Sequence, residues 1–316
     1  MTGMTGRMAE HGHDPVLLGP VLQHLAPQAG ECAVDLTAGR GGHATAIASA
    51  LGPAGQLLLV DADATNLAYA LDRVRGAVPG LHVESRHADF SRAAEGLGRW
   101  GHPVDLVLAD LGFATNQVLE ASRGMSFRED GPLDMRLDQS SGATAADLVA
   151  ALPESQLAEI IFRFGEDPFA RAIARKIARE REKNPILTTV HLAAVVRDAY
   201  GPRADQSRMH PATRTFMALR IAVNDELGAL ARLLDILEQA ARDAHSTGDG
   251  WLRRGARIGV ISFHSLEDRL VKRWCASLED VGVAERLVRK PEVADDTEVR
   301  HNPRARSAKF RALRVV

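Results

Sequence analysis

The stretch ECAVDLTAGRGGHATAIASA, residues 31–50, decides the fold. Its opening, ECAVDLT (31–37), is a short apolar run closing on an acid, the pattern of a buried strand. GRGGH (39–43) follows at once, and from Ala44 small and apolar residues recur at helical spacing. A strand that runs through glycines into a helix lets backbone turn tightly and approach a ligand closely.

Working outward, QLLLVDAD (56–63) is a second apolar run ending in acid, followed by a helical pattern through Tyr69 and Val74. LHVESRHADF (81–90) and PVDLVLADLG (103–112) read as third and fourth strands. This alternation predicts an α/β, Rossmann-like, doubly wound parallel sheet with its ligand at the carboxyl ends of the strands. Residues 118–142, with Gly124, Gly131, Pro132 and Gly142, read as irregular loop, and the pattern from Thr144 to Tyr200 is helical. Leu148, Leu152, Leu157, Ile160 and Ile161 suit short packed helices, as do Ile173 and Ile177, and Thr188 and Thr189 are N-cap candidates. The spacing of Leu219, Val223, Leu227, Leu230, Leu234 and Leu237 predicts one long helix from about Pro211, packed on the sheet. ARIGVISF (256–263) is a fifth strand, SLEDRLVKRWCASL a helix, and AKFRALRVV a final strand. The expected organisation is a flexible leader at 1–12, a sheet domain at 13–117 and 211–316, and an inserted all-helical domain at 118–210.

The 316 residues are 45% hydrophobic and 25% charged, which is globular composition. Aromatics at 4% argue against a base-stacking sheet, and a net charge of −2 with a pI near 6.6 argues against a large nucleic-acid footprint. Cys32 and Cys275 form no CxxC pair, and no Cys/His spacing suggests a metal site. Unpaired thiols, no signal-peptide run and no membrane-length apolar stretch point to the cytoplasm.

Three constellations hold chemistry. The first is Asp35 with Gly39, Gly41, Gly42 and His43, joined by Asp61, which lies 22 residues after Gly39 at the end of the second strand, where an acid would bind two ribose hydroxyls. A glycine turn alone is weak and can be purely structural; the matching acid weights it toward a nucleotide-type cofactor. The last glycine of the G-x-G-x-x-G dinucleotide pattern is missing, which favours S-adenosylmethionine over NAD. The second is DLGFATNQ (110–117), which puts Asp110 at the end of the fourth strand, facing the cleft. Such a carboxylate could accept a proton, bind a cofactor's charged amine, or merely cap a turn. The third is ISFHSLEDR (261–269), which places Ser262, His264 and Ser265 at the mouth of the fifth strand. His264 could orient a base or relay a proton, or be a structural hydrogen bonder. Without G-x-S-x-G, a Ser/His hydrolase is disfavoured. Arg171, Arg175, Lys176, Arg179, Arg181 and Lys183 lie on one helix, and Arg304, Arg306, Lys309, Arg311 and Arg314 form a tail without acids. Such stripes can follow a phosphate backbone, and the tail is the stronger candidate.

The chain resembles the bacterial 16S rRNA cytosine-N(4)-methyltransferases over nearly its whole length. HDPVLL (13–18), GRGGH, LVDAD, DLG, RGMSF (123–127), DGPLDMR (130–136), FGED (164–167), HPATRTF (210–216), ALRIAVNDEL (218–227), ISFHSLEDR and NPRARSAKFR (302–311) fall in that family's order. The resemblance implies a class I S-adenosylmethionine-dependent methyltransferase sheet with an inserted helical domain. It implies cofactor contacts at Gly41, Gly42, His43, Asp61, Phe90, Asp110 and Gln117, to which the glycine turn adds Gly39. Asp110, aided by His264, would be catalytic; Asn116, Asp134, Arg136, Ser262 and His264 would meet the substrate. The implied partner is the small ribosomal subunit, whose 16S rRNA offers a cytidine in its decoding region; no metal is required, and monomer and homodimer stay open. Most members have two serines and a proline where this chain has Ala114, Thr115 and Asn116, and glutamine where Met217 stands. The alternatives are therefore a divergent paralogue acting on another nucleic-acid amine, or a non-catalytic assembly factor. A cytosine carbon-5 methyltransferase is excluded, since neither cysteine follows a proline.

Overall fold

The computed structural model describes residues 15–206 and 209–316, with backbone alone at Thr115 and Leu119; the expected leader 1–12 lies outside the described residues. The apolar runs become β1 (Cys32–Asp35), β2 (Gln56–Asp61), β3 (His82–His87), β4 (Val104–Leu111) and β5 (Leu252–Ser262), with a short β6 (Ala284–Arg286) and the tail as β7 (Lys309–Val315). The described residues form one seven-stranded sheet in the order β3-β2-β1-β4-β5-β7-β6. β1 to β5 run parallel, and β7 is antiparallel to both its neighbours. The chain steps outward from β1 to β3, then crosses to the far side of β1 for β4. That reversal opens a crevice above the ends of β1 and β4, the place where such sheets bind ligands.

Helices follow in chain order. α1 (Leu18–Leu25), α2 (Gly42–Leu51) and α3 (Ala64–Ala77) bury Val21, Leu25, Ile47, Leu51, Leu67 and Val74 against one sheet face. α4 (Phe90–Glu95) begins the cover of the other face, so the expected third strand stops at His87 and Phe90 opens a helix capped by Asp89. α5 (Thr115–Leu119) follows β4. α6 (Ala145–Ala151), α7 (Glu154–Gly165), α8 (Ala170–Arg181), α9 (Thr189–Tyr200) and α10 (Ala212–Val223) build a separate helical core around Leu157, Ile161, Ile173, Ile177, Leu192 and Phe216. The Thr188 hydroxyl caps α9 by accepting from His191 N–H. α11 (Glu226–Ser246) and α12 (Ser265–Asp280) complete the second sheet face, and α13 (Asp296–His301) with a 3-10 turn at Pro303–Ser307 leads into β7. No described helix is long and apolar enough to cross a membrane.

The single helix expected from about Pro211 is two. It breaks at Asn224–Asp225, where Asp225 takes a left-handed φ of 46°. Leu219 lies in the helical core, whereas Leu230, Leu234 and Leu237 lie in the sheet core, so one apolar row serves two cores. Periodicity alone does not register that change, because neither side of the break disturbs the spacing. The Asn224 amide explains the break. It donates to the carbonyls of Met135 (2.8 Å) and Arg220 (2.9 Å) and accepts from Leu137 N–H (2.8 Å). The outgoing and returning ends of the insertion are thus joined by one side chain. β6, α1 and α13 were not legible because they are short and their patterns weak.

Gly41 makes the turn after β1 possible. Its φ is +74°, and a Cβ there would lie 3.0 Å from the backbone of Ala70 in α3. Gly41→Ala combines a disfavoured backbone with a clash, and should cost more than about 1 kcal/mol in urea unfolding.

Candidate cofactor and catalytic site

The carboxyl ends of β1, β2 and β4 are tied together by backbone-to-acid hydrogen bonds. Asp35, buried at the end of β1, accepts from Thr37 N–H (3.1 Å), and the Thr37 hydroxyl accepts from Asp110 N–H (2.5 Å). Asp61 accepts from Gly39 N–H through Oδ2 (2.7 Å) and from Asp63 N–H through Oδ1 (2.8 Å). Each of its oxygens keeps acceptor capacity for a ligand hydroxyl. The predicted Gly39, Gly41, Gly42 and Asp61 therefore meet in one place. Phe90, partly buried at the start of α4, packs against the sheet core from the other side.

Burial disfavours ionisation of all three acids. It pushes Asp35 and Asp110 up to about 7 and Asp61 up to about 6. The Asp110 side chain is 24% exposed, yet its Oδ1 is buried without a hydrogen-bond partner among the described residues. A buried carboxyl oxygen left unpartnered marks a place where a donor belongs. His43, the second residue of α2, sits at Oδ2: its Nδ1 is 3.6 Å away, while its Nε2 bonds the carbonyl of Val16 (2.9 Å). A carbonyl only accepts, so Nε2 holds the proton and Nδ1 turns a lone pair toward Asp110. Burial lowers the imidazole's pKa, which keeps that ring neutral.

Gln117 and Asn116 are held by the turn after β2. Gln117 donates to Asp63 Oδ2 (2.9 Å) and accepts from Ala114 N–H (2.8 Å); Asn116 donates to Asn66 Oδ1 (3.0 Å). Asp63, which the sequence reading did not single out, is the organising group. It caps α3 through Thr65 and Asn66 N–H, and it pairs with buried Arg123 at 2.6 Å. An acid just before a helix is an N-cap signal; its distant partners were invisible in sequence.

Most polar atoms of the remaining predicted residues are committed to local structure; His264 Nε2 is buried without a hydrogen-bond partner among the described residues. His264 caps α12, its Nδ1 accepting from Glu267 N–H at 3.4 Å, while Glu267 Oε2 accepts from Phe263 and His264 N–H. Ser262, buried, donates to the Lys309 carbonyl at 3.4 Å. Asp134 and Arg136 form a two-pronged pair, with both contacts at 2.8 Å. Among the described residues, two groups of side chains have metal-type donors within 4.8 Å of one another. In Glu226, His264 and Glu267 the carboxylates are taken, Glu226 by Arg220 at 2.7 and 2.8 Å. His82, Glu84 and His102 lie at the starting end of β3, away from the crevice.

The basic stripes expected to follow phosphate are largely neutralised. Lys309 and Arg311 both pair with Asp268 (3.0 and 2.8 Å), Arg314 pairs with Glu285, and Arg304 turns inward to the Phe113 carbonyl. Of the five, Arg306 and Arg314 stand exposed, Arg314 with Glu285 beside it. On α8, Arg175 and Lys176 face Glu154 and Asp198, and Arg181 donates to the carbonyls of Val149 and Leu152. The tail has no acids of its own, but the fold supplies them from α12 and β6.

A sheet with β7 antiparallel, a glycine turn after β1, an acid after β2 and another after β4 defines the class I methyltransferase architecture. The sequence profile of the MraW methylase family matches residues 10–316, and the chain belongs to that family. Proteins described as ribosomal RNA small subunit methyltransferase H are similar to it throughout. The one from Geotalea uraniireducens is 41% identical, the match covering 98% of this chain and 100% of that protein. The one from Deinococcus radiodurans is 44% identical, covering 95% and 88%. Among solved structures, a SAM-dependent O-methyltransferase from Thermotoga maritima matches with a TM-score of 0.43 at 10% identity, over 98% of this chain and 69% of that one.

Removing Arg123 leaves Asp63 buried beside fewer donors. Arg123→Met should lower stability by about 3 kcal/mol, the usual cost of breaking a buried pair from one side. Chemical denaturation of the variant against the parent measures it.

Proposed function

We propose that this protein transfers a methyl group from S-adenosylmethionine to the exocyclic N(4) amine of a cytidine in the decoding region of small-subunit ribosomal RNA, in the cytoplasm. One observation supports the chemistry above the others: the unpartnered, buried oxygen of Asp110 at the end of β4, beside the glycine turn. The family membership and the relatives' names support the class of substrate.

The residues present fit the cofactor. Three acids that burial keeps from ionising gather where a cationic sulfonium and ammonium would favour their charged forms. Gly39, Gly41, Gly42, His43 and Asp61 would hold it, Phe90 would pack near its adenine, and Gln117 would help fix the loop it lies against. When bound, S-adenosylmethionine supplies an electrophilic methyl. The cytosine amine is a poor nucleophile because its lone pair is shared with the ring, so the protein must orient it and take its proton. Asp110 is placed to accept a hydrogen bond from the amine and then that proton as the N–C bond forms. Asn116, in α5 after β4, and His264, at the start of α12, would contact the base. Asp134, Arg136 and Ser262 act on the base through the loops they brace. The helical lobe would receive the surrounding RNA, with the target turned out of its stack.

Methyl transfer from labelled S-adenosylmethionine to purified small subunits, with the modified nucleoside identified by mass spectrometry, tests the reading. Label on a cytidine amine is expected, and Asp110→Asn should reduce the rate by about a hundredfold or more. Label on another nucleoside would point to a divergent substrate; cofactor binding without any label would point to an assembly factor.

The raised acids give a second test. A cation favours the ionised carboxyls, so cofactor binding must expel protons wherever those groups are still protonated. Affinity should rise between about pH 5.5 and 7.5. Calorimetric titrations at about pH 6 in two buffers of different ionisation enthalpy should give different heats; equal heats would refute proton release.

A further inference from the structure

The C-terminal segment reaches the crevice from the far end of the chain at two points. In α13, Glu298 Oε1 accepts from Leu17 N–H at 2.7 Å, pinning a residue whose φ is +55° and whose neighbour Val16 binds His43. In the 3-10 turn that follows, Arg304 donates to the carbonyl of Phe113, three residues past Asp110. Its guanidinium carbon is 5.7 Å from the Phe113 ring, and that of Arg220 is 4.5 Å from the same ring.

Bonded to Phe113 three residues past Asp110, Arg304 brings its positive charge to bear on that acid. The other charged or titratable groups around Asp110 are His43 on α2, Asp35 on β1 and Glu267 on α12, and Glu298 and Asp35 act on His43. With acids on several sides, Arg304 is what favours a carboxylate there. Its own burial lowers its pKa, a penalty that the attraction of Asp110 opposes. A delocalised, weakly hydrated guanidinium tolerates such a place better than an ammonium, and its planar fork can bind a carbonyl while lying near a ring.

We propose that Arg304 is a positioning residue for methyl transfer, holding the Phe113 loop by hydrogen bond and ring contact while keeping a positive charge beside Asp110. The proposal rests on Asp110 being the proton acceptor. Glu298 anchors the same segment to the glycine-turn side, so the charge is delivered by a segment fixed at both ends of the crevice.

Two variants separate charge from packing. Arg304→Gln keeps an N–H donor for the Phe113 carbonyl and drops the charge; Arg304→Lys keeps the charge. The pH profile of kcat on small subunits is read with cofactor affinity by calorimetry and with the thermal midpoint. Loss of the cation raises the pH at which Asp110 ionises, so the acid limb of Arg304→Gln should move up by about one pH unit. Its rate should recover toward that of the parent at higher pH, with cofactor affinity above the limb changed less than twofold. Arg304→Lys should keep the parent's limb. A limb unmoved in Arg304→Gln, or equal losses at every pH in both variants, would overturn the proposal and leave Arg304 a packing residue. Asp110→Asn, measured alongside, tests the underlying reading alone: full activity there removes the acceptor itself, whatever Arg304 does.

Discussion

The arrangement depends on Asp63. Its buried carboxylate binds the first turn of α3, the Gln117 amide in α5 after β4, and the Arg123 guanidinium at the start of the insertion. A charge in that position is stable only while every partner is present. It therefore couples three things that could otherwise drift: the turn after β2, the loop beside Asp110, and the root of the helical lobe. Asp61, two residues earlier, does the equivalent work for the glycine turn.

A second constraint is electrostatic. Asp35, Asp61 and Asp110 gather at the ends of three adjacent strands, and burial raises the pH at which each ionises. In an apolar interior such a cluster would be a liability. Here the same desolvation that weakens the protein alone would favour a positively charged ligand over a neutral one.

Much of this was legible in the sequence. β1, β2 and β4 announce themselves because central parallel strands are buried on both faces and read as unbroken apolar runs. The glycine turn and the acid 22 residues on were visible because each is demanded by local backbone. Asp63 and Glu298 escaped notice, and Arg304 was read only as part of a basic tail; all three act on partners far along the chain, and no local pattern encodes such pairs. Asp134, Arg136, Ser262 and His264 were found as motif residues, but sequence could not tell that their polar atoms are largely spent on neighbours. The basic tail's ion pairs were hidden for the same reason, since Asp268 and Glu285 reach it only once the sheet has closed.

The Asn224 amide joins the incoming loop of the insertion, at Met135 and Leu137, to the point where the chain returns to the sheet domain. To the sheet domain, the whole helical insertion is then a loop whose ends already touch, so most of its closure entropy is settled at one side chain. The lobe has its own core and a hinge with left-handed backbone at Asp225. It is built as a cassette, with a core of its own and a root fastened to the sheet domain by Arg123 and Asp63.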